Sequence, residues 1–194
     1  MELIRNITGV ILAGGKSSRM GTNKALVEIS GAKLIDRTLR LFKDIFRDTI
    51  LITNTPDEYF DRDVRTVTDV IPGKGPLGGI FTGLFYAGTE HVFVSACDLP
   101  FLNPSFIRFM ARREEDFDIV IPRTPTGIEP LHAIYSKRCR PEIERRLLRD
   151  ECKVTGFFNK VRVLEIGEDT VKSFDPGGTL FMNINTPEDL KKIR

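Results

Sequence analysis

The stretch Val10-Ile11-Leu12-Ala13-Gly14-Gly15-Lys16-Ser17-Ser18-Arg19-Met20-Gly21-Thr22-Asn23-Lys24 decides how the chain is read. It opens inside an apolar run, Ile7 to Leu12, of the kind a strand shows when both its faces are covered. The run passes directly into a loop holding three glycines and three cations. Glycine lets backbone N–H groups approach a ligand closely, and Lys16, Arg19 and Lys24 set positive charge beside them. That combination suits a polyphosphate. A Walker A loop is a different arrangement: Gly15-Lys16-Ser17 matches its end, but the glycine it needs five positions earlier is Val10 here. The dinucleotide fingerprint G-x-G-x-x-G is also missing. Without its context the segment is equally a glycine-rich turn with solvated cations.

The remaining composition narrows the function classes. A chain of 194 residues predicts one domain, 1–194, with room for a substantial core. Hydrophobic residues make up 41% and charged residues 29%, as in a globular protein in water. The net charge of +2 gives no global attraction to nucleic acid or to a membrane, so any basic effect is local. No apolar run approaches the roughly 20 residues of a membrane span. Met1-Glu2-Leu3-Ile4-Arg5-Asn6 lacks the core of a signal peptide, and a cytoplasmic location is expected. Cys97, Cys139 and Cys152 form no C-x-x-C pair, and Cys97, within an apolar strand, reads as a small buried hydrophobe. His91 and His132 stand alone, which leaves little for a zinc site or a Ser-His-Asp triad.

Strand and helix signals alternate along the chain. Ile7 to Leu12, Thr49 to Thr53, Val64 to Thr68, Val92 to Cys97, Phe117 to Ile121, Leu131 to Tyr135 and Val161 to Ile166 read as strands. Ile35, Thr38, Leu39, Phe42, Ile45 and Phe46 recur at helical spacing. Residues 77 to 87 read as a helix after Gly75-Pro76. Asn103-Pro104 is a helix start with Asn as cap and Pro at the first position. Pro141 opens a helix that ends near Asp150, and Thr186-Pro187-Glu188-Asp189 opens a last one. Alternation of this kind predicts an α/β class, a three-layer α/β/α sandwich with a mainly parallel sheet. Residues 122 to 131 separate two strands without a helix, so the sheet should be mixed. Residues 167 to 180 read as a long loop.

In an open α/β sheet, ligands bind beyond the carboxyl ends of the strands. The first strand ends in the glycine loop, the second at Asn54, the third at Asp69 and the fourth at Asp98. All four should face one rim. A carboxylate directly after a buried strand needs a cation or hydrogen bonds to hold it. Mg²⁺ takes one or two carboxylates and fills its other positions with phosphate oxygens and water, so Asp98 is the metal candidate, with a loop cap as its alternative. Asn54 and Asp69 each read as turn caps or as hydrogen-bonding groups that the rim offers to a ligand. Gly75-Pro76-Leu77-Gly78-Gly79 turns rigidly into a helix and presents small residues to a ligand. Asn183 and Asn185 alternate on an extended segment and share one face, which suits a polar acceptor or strand-end turn chemistry. His132 reads either as a substrate contact or as a buried structural histidine. Arg145, Arg146 and Arg149, with Glu142 and Glu144 nearby, read as a solvated, salt-linked helix face.

Several of these segments taken together carry a family resemblance. Leu-Ala-Gly-Gly-x-Ser-x-Arg-Met-Gly-x-x-Lys from Leu12, Cys-Asp-x-Pro at Asp98, Gly-Pro-Leu-x-Gly at Gly75, Pro-Leu-His-Ala-x-Tyr at Pro130 and Asn-Ile-Asn-Thr-Pro-Glu-Asp at Asn183 resemble the molybdenum cofactor guanylyltransferases, the MobA family. Gly14-Gly15 is the guanylyl form of the loop, where relatives acting with CTP tend to show Ala-Gly. The resemblance implies a Rossmann-like nucleotidyltransferase fold that moves GMP from GTP to molybdopterin carrying molybdenum and releases pyrophosphate, with Mg²⁺ as cofactor. It implies GTP contacts at Leu12, Ala13, Gly14, Gly15, Lys24, Asn54, Asp69, Gly78 and Asp98. Transfer roles fall to Arg19, Lys24 and Asp98, metal binding to Asp98 and acceptor binding to Asn183 and Asn185. Proteins that deliver the cofactor or accept it are implied partners. Three alternatives stay open: a cytidylyltransferase for the same acceptor, a nucleotidyltransferase for a sugar or lactyl phosphate, and a non-catalytic nucleotide-binding module.

Overall fold

The computed structural model describes residues 2–14, 24–29 and 31–182. Its centre is strand β1, Ile7–Leu12, with all six residues buried. A strand buried on both faces must be covered by helices on both, and the chain supplies them. On one face lie α1 (Leu34–Ile45) and α3 (Pro104–Ala111); on the other lie α2 (Gly75–Tyr86) and α4 (Arg140–Leu148). The core is accordingly split. Ile7, Ile11, Phe42, Phe46, Phe93 and Phe106 fill one side of the sheet, and Val10, Leu12, Ile80, Leu84, Val94 and Tyr135 fill the other.

The strands after β1 are β2 (Glu28–Ile29), β3 (Ala32–Lys33), β4 (Thr49–Ile52), β5 (Arg65–Val67), β6 (His91–Ala96), β7 (Ile119–Thr124), β8 (Gly127–Ile128), β9 (His132–Ser136) and β10 (Val163–Ile166). The main sheet runs β10-β7-β9-β6-β1-β4-β5, and β8 folds back on β7 as a hairpin. Strands β4, β1 and β6 pair in parallel, as do β4 with β5 and β7 with β10. Strand β9 runs against both β6 and β7. The mixed sheet follows from the short link 125–131, which turns the chain back without a crossover helix. Strands β2 and β3 form a separate small hairpin that the sequence pattern did not signal.

Local signals hold where they rest on caps and periodicity. Asn103 accepts hydrogen bonds from Ser105 N (2.8 Å) and Phe106 N (3.1 Å), with Pro104 opening α3. Arg145 pairs with Glu142 and Arg146 with Glu151 (3.0 Å), a salt-linked face as expected. Two expectations are corrected. The stretch 167 to 180 holds a helix, α5 (Glu168–Phe174), whose first turn is acidic and whose Val171 is buried; carboxylates there complement the helix dipole. Cys97 is only part-buried because it lies past the last residue of β6, at the rim. The fully buried cysteine is Cys139, its thiol pushed up to about 12, chiefly by burial. The predicted helix from Thr186 lies outside the described residues.

Two positions in the core support predictions. Gly9 in β1 has no room for a side chain: a Cβ there would stand 2.6 Å from Phe42 Cδ1 and 2.7 Å from Phe46 Cδ2. Those rings pack on each other and on Phe93. Gly9→Ala is expected to destabilise the fold by about 1–3 kcal/mol through overpacking, read by urea unfolding. His132 is fully buried, stacked 5.8 Å from Phe106 and edge-on to Phe93 (5.0 Å) and Phe181 (5.3 Å). Burial drives its pKa from 6.5 to about 3. Between those values the unfolded imidazole binds a proton that the folded one refuses, so this contribution to stability is complete above about 6.5 and is lost as pH falls toward 3. Unfolding at pH 7 and pH 5 should show wild type losing about 2 kcal/mol more than His132→Phe.

Candidate active site

Parallel strands β4, β1 and β6 carry three loops to one rim, and the backbone ladder continues into them. Ala13 N–H donates to Ile52 O (2.8 Å) on one side of β1, while Leu12 O accepts from Cys97 N–H (3.1 Å) on the other. Thr53 N–H donates to Val67 O (3.0 Å), which brings the end of β5 alongside. The start of the glycine loop therefore stands between the Asn54 segment and the Asp98 segment. Leu12 and Ala13 are buried, and Gly14 is exposed beside Asn54: a Cβ on Gly14 would lie 3.9 Å from Asn54 Nδ2, with open space otherwise. The fully buried Tyr59 reaches Ala13 O with its hydroxyl in a long contact of 3.5 Å.

Asn54 and Asp69, fifteen residues apart, clasp each other. Asn54 Nδ2 donates to Asp69 Oδ2 (2.8 Å), and Asp69 N–H donates to Asn54 Oδ1 at 3.4 Å. The sequence pattern set both at the rim but gave no sign that they touch. Behind them sits Thr82, a residue that sequence reasoning missed. Its hydroxyl accepts from Val70 N–H (3.0 Å), donates to Gly78 O (2.9 Å) and lies 3.5 Å from Asp69 Oδ1. The signal was present in part: Thr82 follows Gly78 by four residues, the spacing at which a helical threonine bonds back to a carbonyl.

Gly78 is buried against Lys74, since a Cβ there would meet Lys74 Cβ at 2.9 Å and Ile71 O at 3.4 Å. Its N–H faces Lys74 O at 3.4 Å and its carbonyl is held by Thr82, so Gly78 contributes close packing and shape. Lys74 is tied to Asp150 by a 2.8 Å ion pair that raises the lysine's pKa and lowers the aspartate's. Asp150 adopts φ 62, a left-handed conformation at the end of α4. Neither residue stood out in the sequence, because their pairing depends on α2 and α4 lying side by side.

On the other side of β1, Asp98 follows the central strand β6 and is part-buried. Ala96 N–H donates to Leu131 O (3.2 Å), which brings the turn Glu129–Leu131 next to this segment. Burial pushes the Glu129 carboxyl up, and Thr124 Oγ, at 3.4 Å, pulls it partly back. His132, directly after that turn, lies in the aromatic core and is structural. Among the described residues no three His, Cys, Asp or Glu side chains cluster as a metal cage. No described helix is long and apolar enough to cross a membrane. Lys24 begins a short 3-10 turn, Lys24–Leu26. Gly15, Arg19, Asn183 and Asn185 lie outside the described residues.

Comparison with known proteins gives this arrangement its relatives. Residues 9–161 match the family described as the MobA-like NTP transferase domain. A protein of Desulfosudis oleivorans named molybdenum cofactor guanylyltransferase is 41% identical over 188 residues, covering 96% of this chain and 93% of that one. A Pelotomaculum thermopropionicum protein named probable molybdenum cofactor guanylyltransferase is 39% identical over 187 residues, covering 96% and 91%. The crystal structure of molybdopterin-guanine dinucleotide biosynthesis protein A from Archaeoglobus fulgidus superposes with a TM-score of 0.86 at 27% identity, covering 96% of both chains. Shared sequence along nearly the full length of these proteins, on the same mixed sheet, means that this chain belongs to the MobA-like NTP transferases.

Proposed function

We propose that the protein, acting as a single domain over residues 1–194, transfers GMP from GTP to the terminal phosphate of molybdopterin carrying molybdenum. The observation that carries the reading is the clasp of Asn54 and Asp69 beside Gly14, in a chain whose near relatives are named molybdenum cofactor guanylyltransferases. An acidic residue oriented by an amide and open on its outer side suits the ring N–H and exocyclic amine of guanine. Leu12, Ala13, Gly14 and Gly15 present backbone to the nucleotide, and Gly78 shapes the wall of the purine pocket.

In the reaction an oxygen of the acceptor phosphate forms a bond to the α-phosphorus of GTP, and the bond from that phosphorus to the β-phosphate oxygen breaks. Pyrophosphate leaves with the electron pair. The nucleophile is already an ionised phosphate, so no general base is required, and the work is positioning and charge stabilisation. Arg19 and Lys24 offset charge on the α-phosphate and the leaving group. Asn183 and Asn185 hold the acceptor. The donor set at Asp98, one carboxylate at the end of a central strand, fits a hard divalent cation, Mg²⁺, that takes its other oxygens from phosphates and water. Bound there, it would supply Lewis-acid stabilisation of the phosphate oxygens. A substrate such as GTP places the reaction in the cytoplasm, and proteins that deliver molybdopterin or take up the dinucleotide are its partners.

Pyrophosphate release with metal-loaded molybdopterin should be fastest with GTP, against CTP and ATP; a preference for CTP would make the protein a cytidylyltransferase. Asp98→Ala should cut turnover by at least about a hundredfold while the fold survives in circular dichroism. Near-normal GTP-dependent turnover in that variant removes the metal role of Asp98.

A further inference from the structure

We propose that Thr82 is a positioning residue for purine recognition: its buried hydroxyl sets Asp69 and the first turn of α2 against the guanine edge, and with them the preference for a purine bearing an exocyclic 2-amine. The inference rests on the guanylyl reading above. It adds a residue that touches neither substrate nor metal.

A hydroxyl carries one proton and two lone pairs. At Thr82, which is fully buried, one lone pair takes the Val70 N–H at 3.0 Å. The proton goes to Gly78 O at 2.9 Å, well ahead of Asp69 Oδ1 at 3.5 Å. Two consequences follow. The peptide that links Asp69 to Val70 is tethered to the helix, so the residue carrying the carboxylate cannot swing away from α2. Among the described residues Asp69 Oδ1 has only the long contact to Thr82 at 3.5 Å, while Oδ2 is engaged by Asn54 Nδ2 at 2.8 Å. Asp69 makes no ion pair among the described residues. Its carboxylate is thus aimed by neutral groups and keeps acceptor capacity on one oxygen, which an N–H donor on the ligand can use.

The same hydroxyl reaches the other side of the pocket. Gly78 O lies one turn earlier on α2, and Gly78 is wedged against Lys74, itself tied to Asp150. One side chain therefore joins the loop after β5 to the start of α2. Helix α2 is in turn held close to β1: a Cβ on Gly79 would lie 2.9 Å from Leu12 Cδ2, and one on Gly83 would lie 3.0 Å from Val10 Cγ1. The helix gives Thr82 a rigid base, and Thr82 passes that rigidity to Asp69. Valine has the shape of threonine without the proton or the lone pairs, so it removes the tether while filling the space.

The test uses the full chain, metal-loaded molybdopterin and two nucleotides, GTP and ITP; the latter lacks only the 2-amine. Thr82→Val is expected to raise KM for GTP about tenfold and to lower the GTP-over-ITP ratio of kcat/KM by a similar factor. Thr82→Ser should restore both. If Thr82→Val does not fold, as judged by its thermal melt, Thr82→Ala carries the same expectation. An unchanged ratio overturns the inference, as does a loss that falls equally on GTP and ITP and is not rescued by serine. A wild-type protein that prefers CTP sinks the guanylyl reading and this inference with it. One that prefers GTP, with an unmoved Thr82→Val, sinks this inference alone.

Discussion

A helix can lie on a strand only as closely as the side chains between them allow. Helix α2 meets β1 through Gly79 and Gly83, where added carbons would collide with Leu12 and Val10. Larger residues would hold the axis further out, since packing distance follows the side chains at the contact. The flank of the rim that carries Asp69 is built on this approach. The approach sets α2 beside the loop after β5, where the Thr82 hydroxyl, bonded within the helix to Gly78 O (2.9 Å), accepts from Val70 N–H at 3.0 Å. The clasp between Asn54 and Asp69 closes over that contact.

Sheet topology divides the rim into two sides. Strands β4 and β5 lie on one flank of β1, and β6 with its antiparallel neighbour β9 lies on the other. Asn54 and Asp69 stand on the first flank and Asp98 on the second, with Leu12 and Ala13, at the end of β1, between them. A reaction that joins two anions needs such a layout: one substrate approaches along each flank, and charge stabilisation stands at the seam. In the proposed reaction the cations come from the glycine loop, which leaves the end of β1 between the two flanks.

The opposite face of the sheet contributes stability. Phe93, Phe106 and Phe181 pack around His132, with Phe42 and Phe46 against Phe93, and burial keeps the imidazole neutral down to about pH 3. A histidine in that state neither donates nor withdraws a proton at working pH. The transfer proposed here asks for no such group, because its nucleophile arrives ionised. His91, at the start of β6, sits at the far end of the strand from the rim.

The sequence by itself determined the class of fold and which polar residues follow the parallel strands. A run such as Ile7 to Leu12 has to be covered on both faces, helical periodicity from Ile35 to Ile45 leaves one buried stripe, and Asn103-Pro104 caps a helix by local geometry alone. These are short-range consequences of backbone and side-chain shape, so they are written in neighbouring residues. Polar residues directly after parallel strands share a rim for the same reason. The tertiary structure decided which of those residues meet. Asn54 with Asp69, Lys74 with Asp150, and Thr82 with the amide of Val70 are contacts between different elements of the chain. The first follows from β5 pairing with β4, the second from α2 lying beside α4, and the third from the loop after β5 running along α2; no local pattern encodes the distance between two elements. The helix Glu168–Phe174 carries no strong pattern of its own: its Phe174 packs on Phe106 and Phe109 of α3, a contact between elements.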